Sequence, residues 1–287
     1  MRILFVTSNR LGDAVLSTGL LDHLIRVAPH ARFTVVCGPV AAGVFARMPG
    51  LERIVTMEKR QMGGHWLPLW AATATTLWDL VVDIRGSALS WLVPTRRRAV
   101  KRRGGGHKTA QLASLLGLEP PPLPVVWTAP EDRAVADRLL PAGRRYIVLA
   151  PTANWLPKIW PAERFVAAFR ALSEGDAVPV VLAGPGETER AMAAPLLAAL
   201  PGAIDLVGRL SLPEIAACLS RVSLFIGNDS GLMHLAAAAG APTLGLFGPT
   251  SAAEYGPAGA HARAVIAGGG RMEDIAVAQV VEAAARL

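Results

Sequence analysis

Hydrophobic positions along this chain come in short, nearly continuous runs separated by longer stretches of helical period. The opening RILFV is followed by a stretch in which Val15, Leu16, Leu20, Leu24 and Val27 fall on one helical face, so strand, loop and helix are predicted in that order. The alternation continues through RFTVVC, RIVTM and LVVDI, and resumes after residue 140 with YIVLA, PVVLAG, LFIGND and PTLGLFG. Runs this uniformly apolar fit parallel strands buried on both faces. Between the two sets lies EPPPLPVVWTAP, residues 119–130, whose prolines interrupt the pattern and predict a linker. Helix-like EDRAVADRLL then opens the second set, and Asp274 to Leu287 reads as a closing helix that either stays with its own half or packs back on the first. Two doubly wound α/β domains follow, residues 1–130 and 131–287. Such halves place ligands in a cleft at the carboxyl ends of the strands, so the loops there are expected to carry the function.

Composition narrows the class. At 287 residues the chain is long for one core, and with 52% hydrophobic and 18% charged residues it is too apolar to be disordered. A mean hydropathy of +0.38 raises the question of a membrane span. Only Gln61 to Trp78 and Ser230 to Ala253 are long enough and free of formal charge, and glycines and prolines break both. The apolar run at the N-terminus is too short for a signal-peptide core, so a cytoplasmic protein is expected. Cys37 and Cys218 lack metal-ligand spacing and read as buried thiols, with neither a disulfide nor a metal site.

The charge is unevenly shared. Residues 1–140 hold 18 Lys+Arg against 10 Asp+Glu, whereas residues 141–287 hold 11 against 12. A single-sign field on one half points to a polyanionic partner: nucleic acid, a phosphorylated glycolipid or an anionic membrane surface.

Three loops carry candidate chemistry. TSNRLGDAVLS, after the first strand, lacks the GxGxxG fingerprint, which argues against a plain dehydrogenase. It offers Gly12 and Asp13 at a strand-to-helix turn, with Asp13 either a helix cap or a catalytic base. PTANWLPKIWP, residues 151–161, holds Lys158 between Trp155 and Trp160, either a solvated lysine or a point charge for phosphate oxygens. In IGNDSGLMHLAAAAGAPTLGLFGPT a strand ends in Gly227-Asn228-Asp229-Ser230-Gly231 and a small-residue helix begins at once, leaving its first N–H groups to favour an anion. Asp229 or Ser230 reads equally as an N-cap, and His234 as a core histidine.

Together these loops resemble glycosyltransferase family 9, the heptosyltransferases of the lipopolysaccharide inner core. The GNDSGLMHLAAAAGAPTLGLFGPT string is the most specific match, with ILFVTSNRLGDAVLS and KIWP beside it. The resemblance implies a GT-B fold, two Rossmann-like doubly wound domains facing a central cleft, with the acceptor bound N-terminally and ADP-heptose C-terminally. It implies Asp13 as general base and Lys158 as the contact to the donor phosphates. Asp229 would hold the sugar hydroxyls, Ser230, Gly231 and His234 the diphosphate, and Glu189, or its rival Glu187, the ribose. Thr152, Asn154 and Asn228 complete the donor set, and Arg10 and Gly12 join Asp13 on the acceptor side. Asp13 and Lys158 would meet when the cleft closes, and the reaction would invert the anomeric carbon in a single displacement. No DxD motif occurs, so no metal and no further cofactor are expected.

The basic run TRRRAVKRRGGGHK supplies Arg96, Arg97, Arg98, Lys101, Arg102 and Arg103. A solvated face and an RNA-binding arm have similar composition, but RNP, KH and helix-turn-helix patterns are absent, so no nucleic-acid partner is expected. An anionic glycolipid acceptor at the inner membrane leaflet accounts for the same charges, at about 1 kcal/mol for each residue near an acidic surface. Trp66, Trp70 and Trp91 are expected mostly in the core, with the membrane interface as the alternative. The expected protein is monomeric and cytoplasmic, with peripheral attachment to the cytoplasmic face of the inner membrane as the alternative. The alternatives are an enzyme using another nucleotide sugar or a protein acceptor, or a catalytically silent nucleotide-binding module.

Overall fold

Each apolar run of the sequence is a strand in the computed structural model, which describes residues 1–58, 66–101 and 104–287. The chain divides at Trp127/Thr128 into two units. The first contains β1 (Arg2–Val6), α1 (Leu11–Val27), β2 (Arg32–Cys37), α2 (Pro39–Phe45), β3 (Leu51–Thr56), α3 (Trp66–Ala74), β4 (Leu80–Asp83), α4 (Leu89–Leu92), β5 (Arg98–Val100) and α5 (Lys108–Ala113). The second contains α6 (Pro130–Leu139), β6 (Arg145–Ala150), α7 (Ala162–Ser173), β7 (Ala177–Val181), α8 (Glu187–Ala199), β8 (Ile204–Asp205), α9 (Leu212–Leu219), β9 (Leu224–Asn228), α10 (Gly231–Ala238), β10 (Thr243–Phe247), α11 (Ala252–Tyr255), β11 (Ala262–Ile266) and α12 (Val277–Ala284).

The two sheets run in the orders β3-β2-β1-β4-β5 and β11-β10-β9-β6-β7-β8, with every strand pair parallel. In each, the order reverses beside the first strand, between β1 and β4 and between β6 and β9. That reversal is the topological switch point of a doubly wound sheet. Ile3, Leu4 and Phe5 of β1 and Ile147 and Leu149 of β6 are fully buried, as strands covered on both faces must be. The core of the second unit gathers Trp160, Phe165, Leu196 and Ile226 around that sheet. The closing helix α12 packs on α7.

Several expectations change. The basic run contains β5, an edge strand whose arginine suits an exposed rim, and β8 and β11 also lie at or near edges, where weak apolar patterning hid them. Val27 is exposed, because the buried face of α1 ends at Leu24. Burial pushes the thiol of Cys37 up to about 12 and that of Cys218 to about 11, and both are free. The Pro-rich stretch is no free spacer. Residues 119–127 belong to the first unit and lie across α1, where Val125 N–H donates to Thr18 Oγ1 at 2.9 Å.

Gly19 makes that crossing possible, since a Cβ there would stand 2.6 Å from the Pro122 carbonyl oxygen and 2.8 Å from that of Leu123. Both obstacles are backbone, so neither swings away. In an open helix Gly→Ala raises stability by about 1 kcal/mol. Gly19→Ala is expected instead to lower it by about 1–3 kcal/mol through overpacking. Urea denaturation of the two proteins checks the sign, and a gain in stability would show that the crossing segment yields freely.

Candidate functional site

In the second unit, the loops after β6 and β9 stand on either side of the switch point and bring Lys158 and Asp229 together. Lys158 closes a short 3-10 turn, Leu156–Lys158, and its Nζ donates to Asp229 Oδ2 at 2.6 Å. Their side chains are 18% and 9% exposed, so the pair is shielded but not sealed. Removing either charge leaves the other poorly solvated.

Asn228 holds this arrangement in place. It ends β9, is fully buried, and spends its amide at both ends of the lysine loop. Its Oδ1 accepts from Trp160 N–H at 3.1 Å and its Nδ2 donates to the Pro151 carbonyl at 2.8 Å. Trp160 is anchored further: its Nε1 donates to Ile275 O at 3.0 Å and its ring meets Phe165 edge to face with centroids 4.9 Å apart. Of the two tryptophans flanking Lys158, Trp160 is thus core and Trp155 is exposed. Sequence reasoning placed Asn228 among donor contacts, whereas its amide is committed to the scaffold. Thr152 is buried at the start of the same loop, and Asn154 is exposed.

Ser230 occupies the N-cap position of α10, yet its hydroxyl makes no capping bond and is buried without a partner. Thr250 Oγ1, in the loop after neighbouring β10, is in the same condition. Buried hydroxyls rarely stay unsatisfied, and beside a helix N-terminus such groups suit an anion. Gly231 begins the helix, and His234, one turn further in, is buried. Close packing of α10 on its strand depends on Gly245, where a Cβ would stand 2.3 Å from Met233 Sδ. After β7, Glu189 Oε2 accepts from Gly184 N–H at 3.2 Å, while Glu187, the first residue of α8, is exposed.

In the first unit the loop after β1 carries Asp13 as the third residue of α1, half-buried. It is not the cap, because Arg10 holds that position. Ser8 Oγ donates to Asp13 Oδ2 at 3.2 Å and accepts from Arg10 N–H at the same distance. Arg10 is exposed and Gly12 half-buried. Across the switch point, the fully buried Asp83 at the end of β4 accepts from the N–H groups of Arg85, Gly86 and Ser87 and from Ser87 Oγ. The turn so formed aims Arg85 at the first loop, where its Nη1 donates to Asn9 Oδ1 at 3.1 Å. Asp83, Arg85 and Asn9 were missed from sequence; the signal was an aspartate closing an apolar run with Gly and Ser three and four residues on, an Asx-type turn.

Arg96, Arg97 and Arg98 do not join Asp13. Register pairs Arg98 with Val81 and Val100 with Asp83, so Arg96 and Arg97 stand at the amino edge of the sheet and Lys101 at the carboxyl edge. Four residue steps of extended chain separate Arg97 from Lys101, roughly 13 Å. Arg96 pairs with Asp79 at 3.1 Å. Arg102 and Arg103 lie outside the described residues. Among the described residues no group of three His, Cys, Asp or Glu side chains is placed to hold a metal ion.

If Asn228 is the lock of the lysine loop, Asn228→Leu leaves Trp160 N–H and Pro151 C=O buried and unpaired, at about 1–3 kcal/mol each. The melting midpoint and the affinity for anionic ligands of this edge should fall together. A variant with unchanged melting and weaker binding would make Asn228 a direct ligand contact.

Comparison with known proteins follows the same lines. Residues 107–282 match the model of glycosyltransferase family 9 (heptosyltransferase). Lipopolysaccharide heptosyltransferase 1 of Pseudomonas aeruginosa is 29% identical over 88% of this chain and 79% of its own length. Lipopolysaccharide heptosyltransferase 1 of Escherichia coli O18:K1:H7 is 24% identical over 98% and 97%. Among solved structures, the family 9 glycosyl transferase of Veillonella parvula superposes with a TM-score of 0.85 at 23% identity, covering 99% of this chain and 96% of that one. E. coli heptosyltransferase WaaC with ADP superposes at 0.79 and 19% identity, covering 98% of each. The two parallel sheets with their flanking helices are those of the GT-B fold. The chain belongs to glycosyltransferase family 9.

Proposed function

We propose that this protein transfers heptose from ADP-heptose to an anionic, lipid A-linked acceptor of the lipopolysaccharide inner core, with inversion at the anomeric carbon. One observation carries the reading: at the switch point of the second unit a shielded lysine–aspartate pair stands beside a helix start whose serine hydroxyl is buried and unpartnered. That arrangement suits a sugar diphosphate. The lysine and the helix N–H groups take the phosphate oxygens, and the aspartate takes a sugar hydroxyl.

The chemistry divides between the units. Asp13 removes the proton of the acceptor hydroxyl, whose oxygen attacks the anomeric carbon from the face opposite the diphosphate. The bond to ADP breaks as the new one forms, and Lys158 offsets the charge gathering on the departing phosphate. When phosphate oxygens draw Lys158 away, Asp229 is released to the sugar, so the ion pair serves as a resting partner for both groups. Glu189, already turned back on its own loop, is the better placed ribose contact. No metal or other cofactor is needed in this scheme. The relatives named as lipopolysaccharide heptosyltransferases support the lipopolysaccharide acceptor; we take the protein to be cytoplasmic and monomeric, working at the inner membrane leaflet without a nucleic-acid partner. Among the described residues no helix is long and apolar enough to cross a membrane.

Transfer from ADP-heptose to a heptose-free core acceptor, followed by mass spectrometry, tests the proposal. Asp13→Asn should lower kcat by about 10²–10⁴-fold with ADP affinity nearly unchanged. Lys158→Met should lower kcat/KM for the donor by about 10²-fold. Asp229→Ala should blunt discrimination among nucleotide sugars sharing one nucleotide. Better use of UDP- or GDP-sugars would replace the donor, and a melting temperature raised by nucleotide with no transfer to the acceptor would favour a silent nucleotide-binding module.

A further inference from the structure

Helix α3 has the sequence WLPLWAATA, with Thr73 its only polar aliphatic side chain, and its Thr73 hydroxyl is turned inward to Leu69 O and Trp70 O. A helix apolar on all sides belongs inside a core or in lipid, yet only Leu69 and Thr73 of this one are buried. Trp66, Leu67 and Trp70 face out, against the expectation that such tryptophans are core. Alongside lies α4, where Trp91 is 65% and Leu92 62% exposed, and Trp70 Nε1 donates to Leu92 O at 3.0 Å, fixing the two helices as one surface. The guanidinium of Arg98 is held by Ser90 O and Val93 O and lies 5.4 Å from the centre of the Trp91 ring. Arg53, exposed, donates its Nη2 to Ala72 O at 2.6 Å and sets a second cation against α3, whereas Arg96 is paired with Asp79 and Arg97, next to Arg98 on extended backbone, points to the other face of the sheet.

We infer that the α3–α4 ledge is the surface by which this protein docks on an anionic lipid bilayer. Tryptophan and leucine enter the headgroup region, and Arg53 and Arg98 meet acidic headgroups. Charge selects the bilayer over a second copy of the chain, since a two-fold contact through the ledge would bring these arginines against their own copies. The first half's 18 Lys+Arg against 10 Asp+Glu favour the same partner. The ledge begins at the carboxyl edge of the sheet, because α4 follows the Asp83 turn and Ser90 Oγ donates to Ser87 O at 2.8 Å. A lipid-anchored acceptor held at the ledge would thus keep its headgroup near that edge. The inference rests on the acceptor being lipid-linked, but its test needs neither donor nor acceptor.

The test uses the full chain and the triple variant Leu67→Ser, Trp91→Ser, Leu92→Ser, whose positions are exposed. Co-sedimentation with vesicles of phosphatidylglycerol and phosphatidylcholine, with pure phosphatidylcholine as control, should show binding of the wild type to the acidic vesicles. The variant should bind at least tenfold more weakly while melting at the same temperature and turning over a lipid-free acceptor fragment normally. Brominated lipid should quench wild-type tryptophan fluorescence more than that of Trp91→Ser. Equal vesicle binding by the two proteins, or no binding by the wild type, would overturn the inference. So would a wild-type dimer in sedimentation velocity that the triple variant dissolves. Loss of transferase activity in the wild type with vesicle binding intact would refute the functional reading and leave the docking surface standing.

Discussion

Every paired strand of this chain runs parallel to its neighbours, and parallel sheets persist in water only when helices cover both faces. That constraint leaves the strands almost no room for polar side chains until they end. In both units, therefore, the chemistry is pushed to the carboxyl edge, and within that edge to the place where strand order reverses and two adjacent loops diverge. The same solution appears twice. In the second unit Lys158 and Asp229 meet across the β6/β9 reversal, and in the first Arg85 and Asn9 meet across the β1/β4 reversal, with Asp13 on the first loop and Asp83 buried under the second.

Each edge is built from a buried amide or carboxylate that organises backbone and a second charged group left in view. Asn228 and Asp83 are fully buried and spend their polar atoms on loop N–H and C=O groups, and the loops so fixed present Lys158 and Arg85. Preorganisation of this kind matters for a reaction whose leaving group carries the charge. A lysine whose loop is pinned at both ends needs little rearrangement when phosphate replaces its carboxylate partner. The Ser230 hydroxyl, buried and unsatisfied, is the polar group for which the proposed donor would supply a partner.

Much of this was legible in sequence because apolar runs betray parallel strands and the loops after them follow by position. Asp13, Lys158, Asp229 and Ser230 all stand on such loops. Roles were harder to read than positions. Asn228 is the second letter of the GNDSG string, and one letter does not reveal that its amide bonds to Trp160 N–H and the Pro151 carbonyl and so ties down the lysine loop. Asp83 was absorbed into the strand LVVDI, although it organises the turn beyond. The basic run looked like one patch because sequence does not show that β5 sets Arg96 and Arg97 at one edge of the sheet and Lys101 at the other. Tryptophans at α3 and α4 followed the average preference for burial, which fails where a surface has a partner.

On the function proposed above, the nucleotide diphosphate is held at the carboxyl edge of the second sheet by loops already set for it. Hydrogen–deuterium exchange of the full chain with and without saturating ADP addresses it directly. Slowed exchange is expected at residues 151–160 and 228–234, with the strands beneath them and α3, α4 and the β1 loop unaltered. Protection centred on the first unit, or spread over the second sheet with no focus on those two loops, would contradict it.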